Sequence, residues 1–130
     1  MKTQVYSGTS WEQQVAYCRA LKVGNTIAVS GTTAVDADGN VVGENDIFEQ
    51  TCFVFEKIDQ ALKQLDSSLN DVIRTRMFVT DIAEFDHVAR AHQQYFEGID
   101  PTATCVEVSR FVRDDLLIEI EVDAVIQADS

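Results

Sequence analysis

The stretch "PTATCVEVSRFVRDDLLIEIEVDAV", residues 101–125, decides the fold that the sequence predicts. Two alternating runs, 104–109 and 116–126, begin within it and are joined by a charged loop. In the second run aliphatic residues alternate with acidic ones, and the acidic positions include Glu119 and Glu121. A period of two residues is typical of a strand with one buried face and one polar face. This part of the chain therefore predicts two strands of a sheet.

Two helices and three further strands are predicted upstream. Residues 16–31 read as a β-hairpin, and residues 71–82 alternate as a single strand. Residues 45–69 have apolar residues at helical spacing after a capping pattern that begins at Asp46. Residues 81–98 repeat that spacing. The apolar face of the first helix is predicted to consist of Ile47, Thr51, Val54, Phe55, Ile58, Leu62 and Leu65; that of the second, of Phe85, Val88, His92, Tyr95 and Phe96.

The predicted order, β-β-α-β-α-β-β, places the chain in the α+β class as one domain over residues 1–130. Strands and helices do not alternate strictly, so the sheet is expected to be mixed. Two helices can cover only one face of such a sheet. An uncovered face on a chain of this length predicts an oligomeric partner.

The composition limits the possible partners. The chain has 22 acidic against 10 basic residues, a net charge of -12, which opposes binding to nucleic acids and to anionic membranes. The N-terminus has no secretory signal, and no apolar run is long enough for a membrane span. Three scattered cysteines, Cys18, Cys52 and Cys105, fit a reducing cytoplasm and have no zinc-site spacing. No metal ion is therefore expected.

Several residues that could act chemically have simpler structural interpretations. His87 and His92 are five positions apart, whereas two metal ligands on one helix require four, so we expect a solvated His87 and a packed His92. Ser30 precedes Gly31 without the surrounding pattern of a nucleophile elbow. Cys105 has no cation nearby in the sequence and is expected to behave as a small buried hydrophobic residue.

The acidic face of the last strand leaves two interpretations open. Glu119, Glu121 and Asp123 share one face, as do Arg74 and Arg76 on the predicted strand 71–82. The two sets are expected to form ion pairs on a solvated sheet face. Alternatively, a carboxylate of this set in a dry interface would have a raised pKa and handle protons, and the arginines would form an anion site.

The quoted stretch, together with "VGNTIAVSGTTAVD" (residues 23–36) and "VIRTRMFVTDIAEF" (residues 72–85), resembles the Rid family of reactive-intermediate deaminases, also called YjgF/YER057c/UK114. The resemblance extends from about residue 17 to residue 126. It implies a chorismate-mutase-like fold and a homotrimer with a barrel-like core and three clefts between subunits. Active members hydrolyse imines and enamines to 2-oxo acids and ammonia without a cofactor.

The resemblance also implies site residues. Glu119, the first glutamate of "IEIE", would position or activate the attacking water. The family grips the substrate carboxylate with the arginine of a Pro-x-Arg-Ser/Thr motif, and here Ala103 occupies that position. The other residues that the resemblance places at the pocket are Tyr17, Ser30, Gly31, Thr104 and Cys105.

Ala103 argues against a simple transfer of the activity. Arginine binds a carboxylate through two parallel charge-assisted hydrogen bonds, and alanine offers neither charge nor donor. Losing one partner of a hydrogen-bonded charge pair costs about 2–5 kcal/mol, roughly tens- to thousands-fold in affinity. The sequence therefore predicts a divergent subgroup whose substrate differs from simple 2-imino acids. Arg19, Arg76 or Arg90 is predicted to supply a cation from another direction.

Three functions remain in competition. The first is a Rid-type hydrolase, or deaminase, that acts on a small metabolite at an intersubunit cleft. The second is a noncatalytic trimer that binds a small metabolite and has a regulatory role. The third is a protein-interaction role on the trimer surface. A cleft that contains Glu119 and a convergent cation favours the enzyme, whereas a Glu119 neutralised in a salt bridge favours the binder.

Overall fold

The computed structural model describes residues 1–127, and its elements from residue 20 onward follow the predicted order. The strands are β1 (Lys2–Val5), β2 (Ala20–Val23), β3 (Thr26–Thr32), β4 (Val72–Val79), β5 (Thr102–Glu107) and β6 (Ile118–Val125). The helices are α1 (Ser10–Val15), α2 (Ile47–Lys63) and α3 (Phe85–Phe96), with short 3-10 turns at Leu69–Asp71 and Ile82–Glu84.

The six strands form one mixed sheet in the order β1-β2-β3-β6-β4-β5. All neighbours are antiparallel except β4 and β5, which run parallel and are connected through α3. The C-terminal strand β6 lies in the middle of the sheet, between β3 and β4. The predicted mixed α+β sheet is therefore confirmed, and the strand whose alternation decided the prediction is central to it.

Helix α2 forms the core on one face of the sheet. The Asp46 side chain accepts a hydrogen bond from the Glu49 amide at 3.1 Å, which satisfies an otherwise free donor of the first turn. All seven residues of its predicted apolar face are buried. They pack against the aliphatic side of β6, where Ile118, Ile120 and Val122 are at most 1% exposed. Burying these side chains supplies the hydrophobic stabilisation of the fold.

Helix α3 lies beside α2, and four of its five predicted apolar residues face the core side. Val88 and Phe96 are buried, and His92 and Tyr95 are partly buried. The prediction is wrong for Phe85, which is 42% exposed because it is the first residue of the helix, directly after the 3-10 turn.

The two histidines behave as predicted. His92 packs against the rings of Phe55 and Phe96, and its Nε2 lies 2.9 Å from the Thr75 hydroxyl. Burial lowers the pKa of His92, because a partly dry environment disfavours the charged ring. His87 is exposed and lies 3.2 Å from the Glu84 carboxylate. Neither histidine contributes to a metal site in the part of the chain that the structure describes.

The N-terminal segment was not predicted. Strand β1 and helix α1 precede the hairpin, and β2 begins only at Ala20, so Tyr17 lies in the connection rather than on the strand. Glu12 organises this segment, since its carboxylate accepts hydrogen bonds from both the amide and the hydroxyl of Ser7. Its carbonyl oxygen accepts from the amides of Ala16 and Tyr17, both at 3.0 Å.

Ala16 ends α1 in the left-handed region, with φ 69° and ψ 54°. A Cβ atom is unfavourable in this conformation by about 1 kcal/mol relative to glycine. We therefore expect Ala16→Gly to raise the free energy of unfolding by about 1 kcal/mol in urea denaturation. Ala89→Gly, within α3, is the matched control and should lower it by about 1 kcal/mol. A loss of stability in both variants would contradict this account of the Ala16 backbone.

Candidate active site

The face of the sheet opposite α2 and α3, here called the open face, has a cavity of about 690 Å³. Its walls come from β1, α1 and the segment before β2, and its floor from β3, β4 and β6. Three sequence-predicted site residues, Tyr17, Ser30 and Arg76, line it. The structure thus brings these three residues together within one protomer.

The Arg76 side chain lines this cavity, but its positive charge is already paired with acidic side chains. Its Nη1 lies 3.1 Å from Asp123 Oδ2 and 3.5 Å from Glu121 Oε1. Arg74 Nε lies 3.6 Å from the same Asp123 oxygen. The predicted ion pairs between the acids of β6 and the arginines of β4 are therefore present. All these side chains are about a third or more exposed, so each pair contributes little to stability.

Ser30 and Gly31 form an irregularity in β3. The register between β3 and β6 shifts between Val29 and Thr32, so these two residues bulge out of the ladder. The Ser30 hydroxyl donates to the Cys18 carbonyl at 2.8 Å, and its amide donates to the Arg19 carbonyl at 3.0 Å. The hydroxyl of Ser30 thus fixes the backbone of the bulge, which agrees with the structural interpretation of this residue.

The Glu119 carboxylate lies directly against this bulge. A Cβ atom at Gly31 would be 2.8 Å from Glu119 Oε2, so only glycine leaves room for the carboxylate in this position. Glu119 is partly buried, and burial raises the pKa of its carboxyl. The Arg19 cation opposes this shift, and Glu121 adds to it. Among residues 1–127, no cation lies within 4.0 Å of Glu119.

The segment that carries Ala103 lies at the edge of the sheet. Through the parallel pairing of β5 with β4, Ala103 is in register with Thr75, and Thr104 with Arg76. Thr75 is buried beneath α3, so Ala103 faces the helix side, whereas Thr104 faces the open side. Within one protomer, Ala103 and Glu119 therefore lie on opposite faces of the sheet.

Cys105 also faces the helix side, in register with Met77, and packs against the core. Burial raises the pKa of its thiol. A thiol in this environment stays protonated at neutral pH and is not activated as a nucleophile. This agrees with the expectation that Cys105 is a small hydrophobic residue.

Arg90 lies on the helix side. Its guanidinium carbon is 4.2 Å from the centre of the Phe48 ring, in a groove of about 530 Å³ between the start of α2 and α3. Glu119 lies on the other face, so the structure does not bring the two residues together within the protomer. Arg90 as a substrate-binding residue stays a prediction.

Two further observations concern the described residues as a whole. No group of three or more His, Cys, Asp or Glu side chains within residues 1–127 is arranged to hold a metal ion. No helix in that range is both long and apolar enough to cross a membrane.

Comparison with known proteins identifies the family. The family described as Endoribonuclease L-PSP matches residues 8–126. The chain belongs to this family, the YjgF/YER057c/UK114 or Rid family. The crystal structure of its member Rv2704 from Mycobacterium tuberculosis superimposes with a TM-score of 0.88 at 38% identity and covers 97% of this chain and 100% of that chain. This confirms the chorismate-mutase-like fold.

Two further relatives are similar to this chain in sequence. An uncharacterized protein of Streptomyces coelicolor, SCO2049, is 34% identical over 121 residues, which are 93% of this chain and 90% of that protein. The 3-aminoacrylate deaminase RutC of Acinetobacter baylyi is 35% identical over 104 residues, 80% of this chain and 82% of that protein. The Rid family thus includes a relative named as a deaminase at this level of identity.

The sequence of the N-terminal segment contains a capping pattern that marks the start of α1. Thr9 and Glu12 have the spacing of a capping box, and in the structure the Thr9 hydroxyl accepts a hydrogen bond from the Glu12 amide at 3.4 Å. That signal predicts the start of α1. It does not predict that the Glu12 side chain is only 4% exposed, because α1 has six residues and no apolar periodicity to orient it.

Replacing Glu119 by glutamine is expected to stabilise the protein at pH 7. Burial raises the pKa of folded Glu119 above 4.5, so between pH 4.5 and the raised value the folded state binds more protons than the unfolded state. Stability therefore falls as pH rises through this window. Glutamine has no such dependence, so its advantage should be largest above the window and vanish below pH 4.5. Urea unfolding across this pH range measures it.

Glu121→Gln is the matched control for this prediction, because it is the same substitution two residues along the same strand. Glu121 is 38% exposed and pairs with Arg76, so its loss should cost about 0–1 kcal/mol and give no gain at any pH. Equal destabilisation of both variants at pH 7 would show that Glu119 is not held in an unfavourable ionised state.

Proposed function

We propose that the protein is a Rid-type hydrolase that converts a reactive imine or enamine to a carbonyl compound and ammonia. The observation that carries the proposal is the Glu119 carboxylate, which is partly buried, lies against the Ser30–Gly31 bulge and forms no close ion pair within the described residues. A carboxylate neutralised in a salt bridge would have favoured the noncatalytic binder. Burial raises the pKa of Glu119, which makes its carboxylate a stronger proton acceptor than an exposed glutamate.

The proposed chemistry needs water and one proton-transferring group. Water adds to the carbon of the C=N bond, Glu119 takes a proton from the water, and the nitrogen gains a proton. The hydroxyl proton of the resulting carbinolamine then passes to the nitrogen, the C–N bond breaks to release ammonia, and the oxygen becomes the carbonyl oxygen. An enamine enters the same route after a proton is added to its carbon. No step needs a cofactor or a metal ion.

The proposed substrate lacks the carboxylate that simple 2-imino acids present to the family arginine. Ala103 cannot bind a carboxylate, and Arg76, the candidate replacement on the open face, is already paired with Glu121 and Asp123. A substrate with a neutral or polar group at this position avoids burying an unpaired charge. Tyr17 and Thr104 are the candidates for contacting that group, because both have hydroxyl groups that can donate or accept a hydrogen bond.

We propose that the cleft is completed by a second protomer within a homotrimer. Ala103 and Cys105 face the helix side at the sheet edge, whereas Glu119 lies on the open face, so a pocket that uses both sets requires two chains. The open face, with its charged floor and its cavity, would line the inside of such a trimer. The cytoplasm remains the predicted location.

A coupled imine assay tests the proposal. An amino-acid oxidase would generate 2-imino acids and an amine oxidase would generate imines without a carboxylate, with semicarbazide as the competing trap. We expect the natural protein to accelerate hydrolysis of the second class and to act weakly on the first. Ala103→Arg should gain roughly tens- to thousands-fold on 2-imino acids, because it restores the carboxylate partner.

Glu119→Gln is the control for catalysis in both backgrounds, and it should lower the rate by roughly a hundredfold or more if Glu119 transfers the proton. Efficient hydrolysis of 2-imino acids by the natural protein, equal to that of Ala103→Arg, would contradict the proposed substrate class. No hydrolysis of either class by any variant would favour the noncatalytic metabolite binder instead.

A further inference from the structure

Arg19 connects the N-terminal segment to the Ser30–Gly31 bulge. Its Nη1 donates to the Gly31 carbonyl at 2.9 Å and to the Thr32 hydroxyl at 3.2 Å. Its own carbonyl oxygen accepts from the Ser30 amide at 3.0 Å. The residue thus holds the bulge through both its backbone and its side chain. A bulge is a local break in the ladder, and these bonds replace the strand pairing that it lacks.

The Arg19 guanidinium is also a nearly buried charge. Its side chain is 13% exposed, and its Nε is enclosed without a hydrogen-bond acceptor among residues 1–127. The Glu12 carboxylate, 4% exposed, lies 4.0 Å from that Nε. A charge buried to this extent requires a compensating partner.

Glu119 is the second carboxylate close to Arg19: it lies against Gly31, whose carbonyl oxygen accepts a hydrogen bond from Arg19 Nη1 at 2.9 Å. The charged groups that influence Glu119 are Arg19, which lowers its pKa, and Glu121 on the same strand, which raises it. On the neighbouring strands, Gly31 packs against the carboxylate and Phe78 is in register with Glu119, and neither has a charge. Arg19 is therefore the cation that opposes the effect of burial on Glu119.

We propose that Arg19 is a positioning residue for Glu119: its hydrogen bond holds the Gly31 backbone beneath the carboxylate, and its positive charge favours the ionised carboxylate over the protonated one. The catalytic meaning of this role rests on the proposed function, whereas the physical coupling between the two side chains does not. Arg19 is not a substitute for the substrate-binding arginine, because its Nη1 is already bonded to Gly31 and Thr32 and its side chain is almost enclosed.

Direct titration of Glu119 tests the coupling without any enzyme assay. NMR of protein labelled with ¹³C at the glutamate carboxyl carbons would give the Glu119 pKa, with Glu119→Gln used to assign the signal. We expect Arg19→Gln to raise this pKa, and Arg19→Lys to return it toward the natural value because it restores the charge. Arg74→Gln removes a cation of the open face that pairs with Asp123, and it should leave the Glu119 pKa unchanged.

An unchanged Glu119 pKa in Arg19→Gln, or the same upward shift in Arg74→Gln, would overturn the proposal. Arg19→Gln removes a buried charge partner of Glu12 and therefore lowers the stability of the fold, so a second measurement uses the natural sequence. The ¹⁵N-edited signal of the Arg19 Nε–H group should shift over the pH range in which Glu119 titrates, and this shift should be absent in Glu119→Gln. A signal that does not follow Glu119 would also overturn the proposal.

The failure of this inference differs from the failure of the proposed function. If the protein hydrolyses imines, Arg19→Gln should lower kcat more than it raises KM and should shift the pH profile of kcat, with partial rescue by Arg19→Lys. If the Arg19 and Glu119 signals titrate together but the protein hydrolyses no imine, the coupling of the two side chains stands and the catalytic role of Glu119 is refuted. Hydrolysis with an unshifted pH profile would refute the coupling and leave the catalytic role of Glu119 intact.

Discussion

The contact between the Glu119 carboxylate and the backbone of Gly31 is the constraint on which the candidate site depends. Strand β6 is central and amphipathic, so its apolar side is committed to the core and its acidic side to the open face. A side chain at position 31 would come within 2.8 Å of the Glu119 carboxylate and displace it. The bulge in β3 and the absence of a side chain at Gly31 together make room for a partly dry carboxylate.

The residues that stabilise the fold and the candidate site residue Glu119 lie on opposite faces of the sheet. The core consists of α2, α3 and the aliphatic side of the strands, whereas the charged side of β6 contributes only exposed ion pairs with β4. Glu119 differs from its neighbours Glu121 and Asp123 because it lies beyond the reach of Arg74 and Arg76, beside the bulge. Among the described residues, Glu121 and Asp123 of β6 thus form ion pairs and Glu119 does not. The difference follows from the position of each residue along the strand.

The sequence predicted the parts of this arrangement that depend on periodicity. The alternation in β6, the helical spacing in α2 and the pairing of the arginines with the acids all follow from residue patterns that repeat over many positions. The N-terminal segment could not be predicted in this way, since β1 has four residues and α1 six. The burial of Glu12 and Arg19 could not be predicted either, because two buried charges depend on contacts between segments rather than on local sequence.

Arg19 therefore does not replace the arginine that the Rid family has at the position of Ala103. A substrate-binding arginine at position 103 would lie at the sheet edge, on the face opposite to Glu119 of the same protomer. Arg19 belongs to the same protomer as Glu119 and is fixed by hydrogen bonds to the bulge beneath it. Loss of a substrate partner at the edge leaves this internal pair intact. The proton transfer proposed for Glu119 therefore does not depend on residue 103, and the proposed substrate can differ from 2-imino acids without a change at Arg19.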